Sequence, residues 1–139
     1  MKISIPAILA LACLAAYAVD NPRQAEEEIA QHDVWHAAKL RGVSFRGTGQ
    51  EPPWILEITD GEKIVLNTGY EIKSTTYPYV EPLVNQERRM TTFTVKDPEL
   101  VVVIEAKDCT DIMSGEKYTV SVSITLPDTQ LRGCGRALH

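Results

Sequence analysis

From Val43 to the C-terminus the apolar residues recur with a period of two. Tyr118, Val120, Val122, Ile124 and Leu126 alternate with Thr119, Ser121, Ser123 and Thr125, which predicts a strand with one face in a core and the other in water. Trp54, Leu56 and Ile58 alternate likewise, and Asp60-Gly61 reads as a two-residue hairpin turn into Ile64-Val65-Leu66. Leu100 to Ile104 is apolar on both faces, as a central or closing strand would be. Pro127-Asp128 makes a last turn before Thr129 to Arg136, and Val43 to Arg46, Tyr70 to Thr75 and Arg89 to Val95 are shorter candidates. Thr76 to Glu87, with Pro78 and Pro82, reads as one long irregular segment. The pattern predicts an all-β fold, a small antiparallel barrel of seven to eight strands over residues 43–139. Such a barrel is filled by its own side chains, so a solid core is expected rather than a ligand-sized cavity.

Ahead of the barrel the period is nearer 3.6. Asn21 as N-cap, Pro22 at the first helical position, Glu26, Glu27 and Glu28 toward the N-terminal dipole and Gly42 past the end predict a helix over Pro22 to Leu40, within a lead-in spanning 19–42. Its apolar residues Ile29, Val34, Trp35, Ala37, Ala38 and Leu40 form a ragged stripe, which predicts loose docking or a spacer role.

Residues 1–18 carry Lys2, an apolar run from Ile3 to Leu14, and Ala16-Tyr17-Ala18, the small-x-small pattern of a signal-peptidase site. The run is too short to span a bilayer. Cutting after Ala18 removes Cys13, so an odd set of three cysteines becomes the pair Cys109 and Cys134. A rival cut precedes Cys13, where Leu9-Ala10-Leu11-Ala12-Cys13 loosely matches a bacterial lipobox; lipidation there would make an outer-membrane lipoprotein and is the one route to a membrane. Both cuts predict a periplasmic or secreted protein in an oxidising compartment, where Cys109 and Cys134 pair.

Composition adds exclusions. A chain of 139 residues with 24% charged and 44% hydrophobic residues suits one core, and a net charge of −5 argues against nucleic acid or an anionic membrane surface as partner. His32-Asp33-x-x-His36 has two imidazoles one helical turn apart, but it lacks the glutamate and the third ligand of a zinc protease. No metal site and no cofactor are expected. Residues 43–138 contain no histidine, so a Ser or Thr nucleophile would have no imidazole base, and a non-enzymatic protein is expected. The class-distinct rival is a hydrolase using Glu51 and Asp111, which requires the two carboxyls close together in a cleft. Arg46-Gly47-Thr48-Gly49 lacks the lysine of a phosphate loop and reads as a flexible turn or bulge.

Two segments are richer than a barrel needs. In Gly49-Gln50-Glu51-Pro52-Pro53-Trp54 a stiff Pro-Pro separates an acid from an aromatic: either Trp54 plugs the barrel end while Glu51 caps backbone amides, or both bind a ligand. In Cys109 to Tyr118, pairing Leu126 with Thr129 brings the loop from Asp108 to Glu116 to the same end as Cys134. The disulfide then staples this loop to the final strand. The loop is a structural turn or a rigid recognition tip, with Asp111, Ser114, Lys117 and Tyr118 as the candidate binding residues.

These segments resemble a family of small exported proteins and lipoproteins of the Gram-negative envelope. The resemblance rests on Gly49, Glu51, Pro52, Trp54 and Ile58, then Cys109, Asp111, Met113, Ser114, Gly115 and Tyr118, then Gly133, Cys134 and Gly135, in order over residues 43–138. It implies an envelope location and an all-β domain, and brings no activity. Ser114-Gly115-x-x-Tyr118 is also similar to the Ser-Gly-x-x-Tyr loop of the inhibitors of C-type lysozyme, small exported β-barrels with a disulfide. That similarity implies a loop entering the lysozyme cleft, with Ser114 and Lys117 each meeting one catalytic carboxylate. Those inhibitors take their lysine from a second, downstream motif that this sequence lacks. The sequence thus points to an exported binding or protective module of unidentified ligand, with lysozyme inhibition as the sharper alternative.

Overall fold

The computed structural model describes residues 22–139, apart from the side chains of residues 24, 27, 28, 31 and 32. The export signal, the cut after Ala18, Cys13 and the Asn21 cap lie outside the described residues, as do the side chains of Glu27, Glu28 and His32.

The chain begins with the helix α1 (Pro22–Leu40), whose first turn carries no acid because the glutamates start one residue beyond it. Gly42, at φ +87°, ends it: Gly42 N–H donates to Lys39 O and Val43 N–H to Ala38 O, the reciprocal pair that a left-handed residue makes possible. Eleven strands follow: β1 (Phe45–Gly49), β2 (Trp54–Thr59), β3 (Lys63–Thr68), β4 (Lys73–Pro78), β5 (Leu83–Asn85), β6 (Met90–Lys96), β7 (Glu99–Glu105), β8 (Cys109–Thr110), β9 (Lys117–Tyr118), β10 (Val120–Thr125) and β11 (Gln130–Ala137).

Nine strands form one antiparallel sheet in the order β4-β3-β2-β1-β11-β10-β7-β6-β5, and β8 pairs with β9 alone. The two edges of the large sheet are consecutive in sequence. The five residue steps from Pro78 to Leu83 span at most about 18 Å, whereas nine flat strands would separate their edges by about 38 Å. The sheet therefore curls strongly, into a half-barrel whose edge strands are not paired with each other. Tyr79 and Val80, in the crossing segment, pack against the core, and the Tyr79 ring meets Phe93 at 6.0 Å, edge to face.

The expectation of an all-β fold behind one helix holds, but the strand count is eleven among the described residues, against the seven or eight expected. β5 lies in the stretch expected to be irregular; Pro78 and Pro82 are tolerated because β4 and β5 are edge strands, where a missing donor breaks no ladder. β8 and β9 have two residues each, too few for a period, and Thr119 interrupts what the alternation presents as one strand from Tyr118 to Leu126.

The inner face of the half-barrel buries Leu56, Ile58, Ile64, Leu100, Val102 and Ile124 almost completely, each contributing about 1.5–3 kcal/mol. Arg46-Gly47-Thr48-Gly49 is not a flexible turn: it is β1, in unbroken register with β2 and β11. Its glycines are spatial. A Cβ on Gly49 would stand 2.2 Å from Trp54 Nε1, and one on Gly133 would stand 2.1 Å from the Thr48 carbonyl. The bare backbones of β1 and β11 thus make the slot that receives the indole, which is 2% exposed.

A second, smaller core lies on the outer face. Trp35, Tyr118 and Cys134 are buried together there, with Cys109 and Leu138 against them. The helix is therefore neither loose nor a spacer at its C-terminal end: Trp35 and Ala38 are buried, while Ile29, Val34 and Leu40 face solvent.

Candidate functional site

Alternation fixes which side chains face outward on β7, β10 and β11. Ser121 is paired with Cys134 and Glu105, and Ser123 with Arg132 and Val103, so these side chains share the outer face. Over that face stands the β8–β9 hairpin, tied to it by the Cys109–Cys134 disulfide, with Cα atoms 5.6 Å apart. The pairing expected from sequence is present, and it staples the loop to β11 as expected.

The loop between β8 and β9 is organised from within by Asp111, 7% exposed. Its Oδ1 accepts the backbone N–H of Met113 and of Ser114, both at 2.9 Å, and the Ser114 hydroxyl at 3.2 Å. Its backbone closes the turn as well: Asp111 N–H donates to Glu116 O, and Gly115 N–H donates to Asp111 O. Burial pushes the Asp111 carboxyl up, but the amides of Ser114 and Met113, with the Gln50 and Ser114 side chains, outweigh it and hold the group below the ordinary aspartate range. An inward-facing, readily ionised carboxylate is a loop organiser, and it suits a general acid poorly.

Because Asp111 occupies the inside of the turn, its neighbours face out. Ile112 is 80% and Met113 68% exposed, with Lys117 exposed beside them. The Ser114 hydroxyl is engaged within the loop, donating to Asp111 and accepting the Glu116 N–H. Tyr118 is buried under Trp35, ring centroids 5.9 Å apart. Burial, and then the Glu116 carboxylate that accepts its hydroxyl proton, push the phenol far above its usual range. Glu116 also pairs with Arg136, whose guanidinium lies over both Trp35 and Tyr118. Arg46 also lies over the Trp35 ring, 5.5 Å from its centre, and Arg46 and Arg41 share Glu57.

Beside the hairpin the outer face carries a cleft of about 740 Å³ that brings together Glu51, Trp54, Asp111, Cys109 and Cys134. Glu51 is exposed, at φ +60°, and among the described residues its carboxylate caps no backbone amide; Trp54 fills its glycine slot, its Nε1–H buried without a hydrogen-bond partner among those residues. Lys117 and Tyr118 fall on the other flank of the hairpin, around a smaller hollow shared with Asp108 and Thr119. Sequence reasoning missed Trp35, Arg46, Arg136 and Glu116. The one local signal was Trp35 and Ala38, three residues apart on one helical face. Among the described residues, no group of three or more His, Cys, Asp or Glu is placed to hold a metal ion, and no helix is long and apolar enough to cross a membrane.

The chain matches no protein-family model, no curated protein and no solved structure.

Proposed function

We propose that this protein is a non-enzymatic binding module of the bacterial envelope and that its recognition element is the stapled loop from Asp111 to Lys117. The observation that carries the reading is the buried Asp111 carboxylate, which fixes the turn so that Ile112 and Met113 stand in solvent. Large apolar side chains on a pre-ordered tip make good anchors, since little conformational freedom remains to be lost on binding. A photo-crosslinking residue at Met113, with one at Glu62 on the distant β2–β3 turn as control, tests this in envelope preparations. A discrete adduct formed at 113 and absent at 62 is expected; equal labelling at both sites removes the tip from consideration.

Lysozyme inhibition is the second reading, favoured by Lys117, which is exposed on the same loop and makes no ion pair among the described residues. Against Ser114 as a donor to a lysozyme carboxylate stands its hydrogen bond to Asp111. Titration of C-type lysozyme acting on cell walls decides it. Inhibition by the wild type that weakens about tenfold in Lys117→Ala, the loss of one charge-assisted contact, supports the reading, and no inhibition at micromolar concentration ends it. An envelope location belongs to the same proposal and rests on residues 1–18 of the sequence alone.

A further inference from the structure

The cleft beside the hairpin is bordered by Ile112 of the tip, but carries polar and charged side chains along the rest of its wall. Its floor is the outer face of β10, small-residued at Ser121 and Ser123, with Arg132 of β11 opposite Ser123. Above the floor, Glu51, Glu105 and Asp108 offer carboxylate acceptors, while Lys107 and Arg132 offer cationic donors, and none of these five forms a salt bridge among the described residues. Gln130 bridges two of the parts, donating to Ser123 Oγ and accepting from Arg132.

That mixture excludes simple ions. An anionic ligand would lie against Glu51, Glu105 and Asp108, and a cationic one against Lys107 and Arg132. A ligand whose every polar group both donates and accepts meets acceptors and donors alike. Strand addition is also excluded, because β10 and β11 are interior to the sheet and their backbone groups are already paired. Recognition here must run through side chains on the outer face.

The geometry points to a binding site for a neutral oligosaccharide in this cleft, with sugar hydroxyls donating to Glu105 and Glu51 and accepting from Arg132 and Gln130 over the Ser121–Ser123 floor. At about 740 Å³ the cleft is within the usual size of small-molecule sites. The site borders the loop of the preceding proposal, sharing Asp111 and Ile112 with it, but Met113 and Lys117 do not line it, so a crosslink at Met113 and sugar-induced shifts on the β10 floor report on the two proposals separately.

The test is titration of the isotopically labelled protein with tri-N-acetylchitotriose and, separately, cellotriose, followed by amide NMR up to about 10 mM, the weak end of specific recognition. Shifts at Thr110, Ser121, Ser123 and Gly133, with the Trp35 indole N–H unmoved, are expected for at least one trisaccharide. Ser123→Tyr, which fills the floor from an outward-facing position, should abolish them; Glu105→Gln should weaken binding several-fold with the amide spectrum otherwise retained. No cleft shifts with either neutral sugar overturns the proposal. So does a response confined to the charged controls trigalacturonate or spermidine, and so does binding that survives Ser123→Tyr.

Discussion

The guanidinium of Arg136 lies 4.8 Å from the centre of the Tyr118 ring, joining the last strand to the hairpin that the disulfide holds. Trp35 covers the same guanidinium from the helix side at 5.1 Å, so helix, hairpin and sheet meet at one stacked group. Trp35→Ala removes the helix's share of it. A loss of about 2–3 kcal/mol in urea denaturation is expected, below the cost for a residue of a central core because this cluster is small. Helical circular dichroism should fall with it, as α1 has no other buried large side chain among those described.

Much of this architecture was legible. The alternation from Tyr118 to Leu126 and the turn at Pro127-Asp128 fix a register in which Thr125 faces Gln130, and that register brings the loop that begins at Asp108 to the end of the sheet where Cys134 lies. What stayed hidden is non-local. β5 is a strand because Leu83 faces Thr92, and β9 because Tyr118 faces Cys109; neither segment is long enough to carry a period. Gly47 and Gly49 read as a turn because glycine weakens strands, whereas here it makes room for an indole. The outer core was invisible for the same reason: nothing near Trp35 in sequence indicates Tyr118 or Arg136.

Gly133→Ala tests the indole slot. A Cβ there would stand 2.1 Å from a backbone carbonyl and 2.7 Å from Trp54, and the backbone cannot swing aside as a flexible side chain would. A destabilisation of about 3 kcal/mol or more is expected, whereas Gly61→Ala, where a Cβ meets nothing, should be limited to the strain of its positive φ. Equal effects at the two sites, measured by thermal or urea unfolding, would falsify the slot.

Asp111 gives the stability an acid limb. Its folded carboxyl ionises below the ordinary value of 3.8, so the folded chain binds fewer protons than the unfolded chain as the medium turns acidic. The stabilisation is complete at neutral pH and is lost as pH falls from about 4 through the lower folded value. Asp111→Asn should cost about 2 kcal/mol at pH 7, where it replaces charge-assisted acceptors with one amide oxygen, and should flatten the decline between pH 5 and pH 2. Urea midpoints across that range report both effects.

Removing the staple with Cys109→Ser plus Cys134→Ser should cost about 3.5 kcal/mol, the chain-entropy value for a loop of 25 residues. The inner core contains neither cysteine, so the half-barrel should survive. Hydrogen exchange is expected to quicken at Asp111 and Gly115, whose amides close the turn, while the β2–β3 ladder stays protected.

The central seam of the sheet also sets the order in which the molecule can be made. Among the described strands β1, the first synthesised, is joined to β11, the last, with Phe45 opposite Ala137. Until β11 is available, β1 to β4 and β5 to β10 remain two separate flaps, each with an apolar face and an unpaired edge at what will be the middle. A nascent chain halted before Gln130 therefore has no completed fold to reach, and the long-range closure makes the last step slow. Removal of the last strand alone would therefore open the sheet at its middle rather than trim its edge.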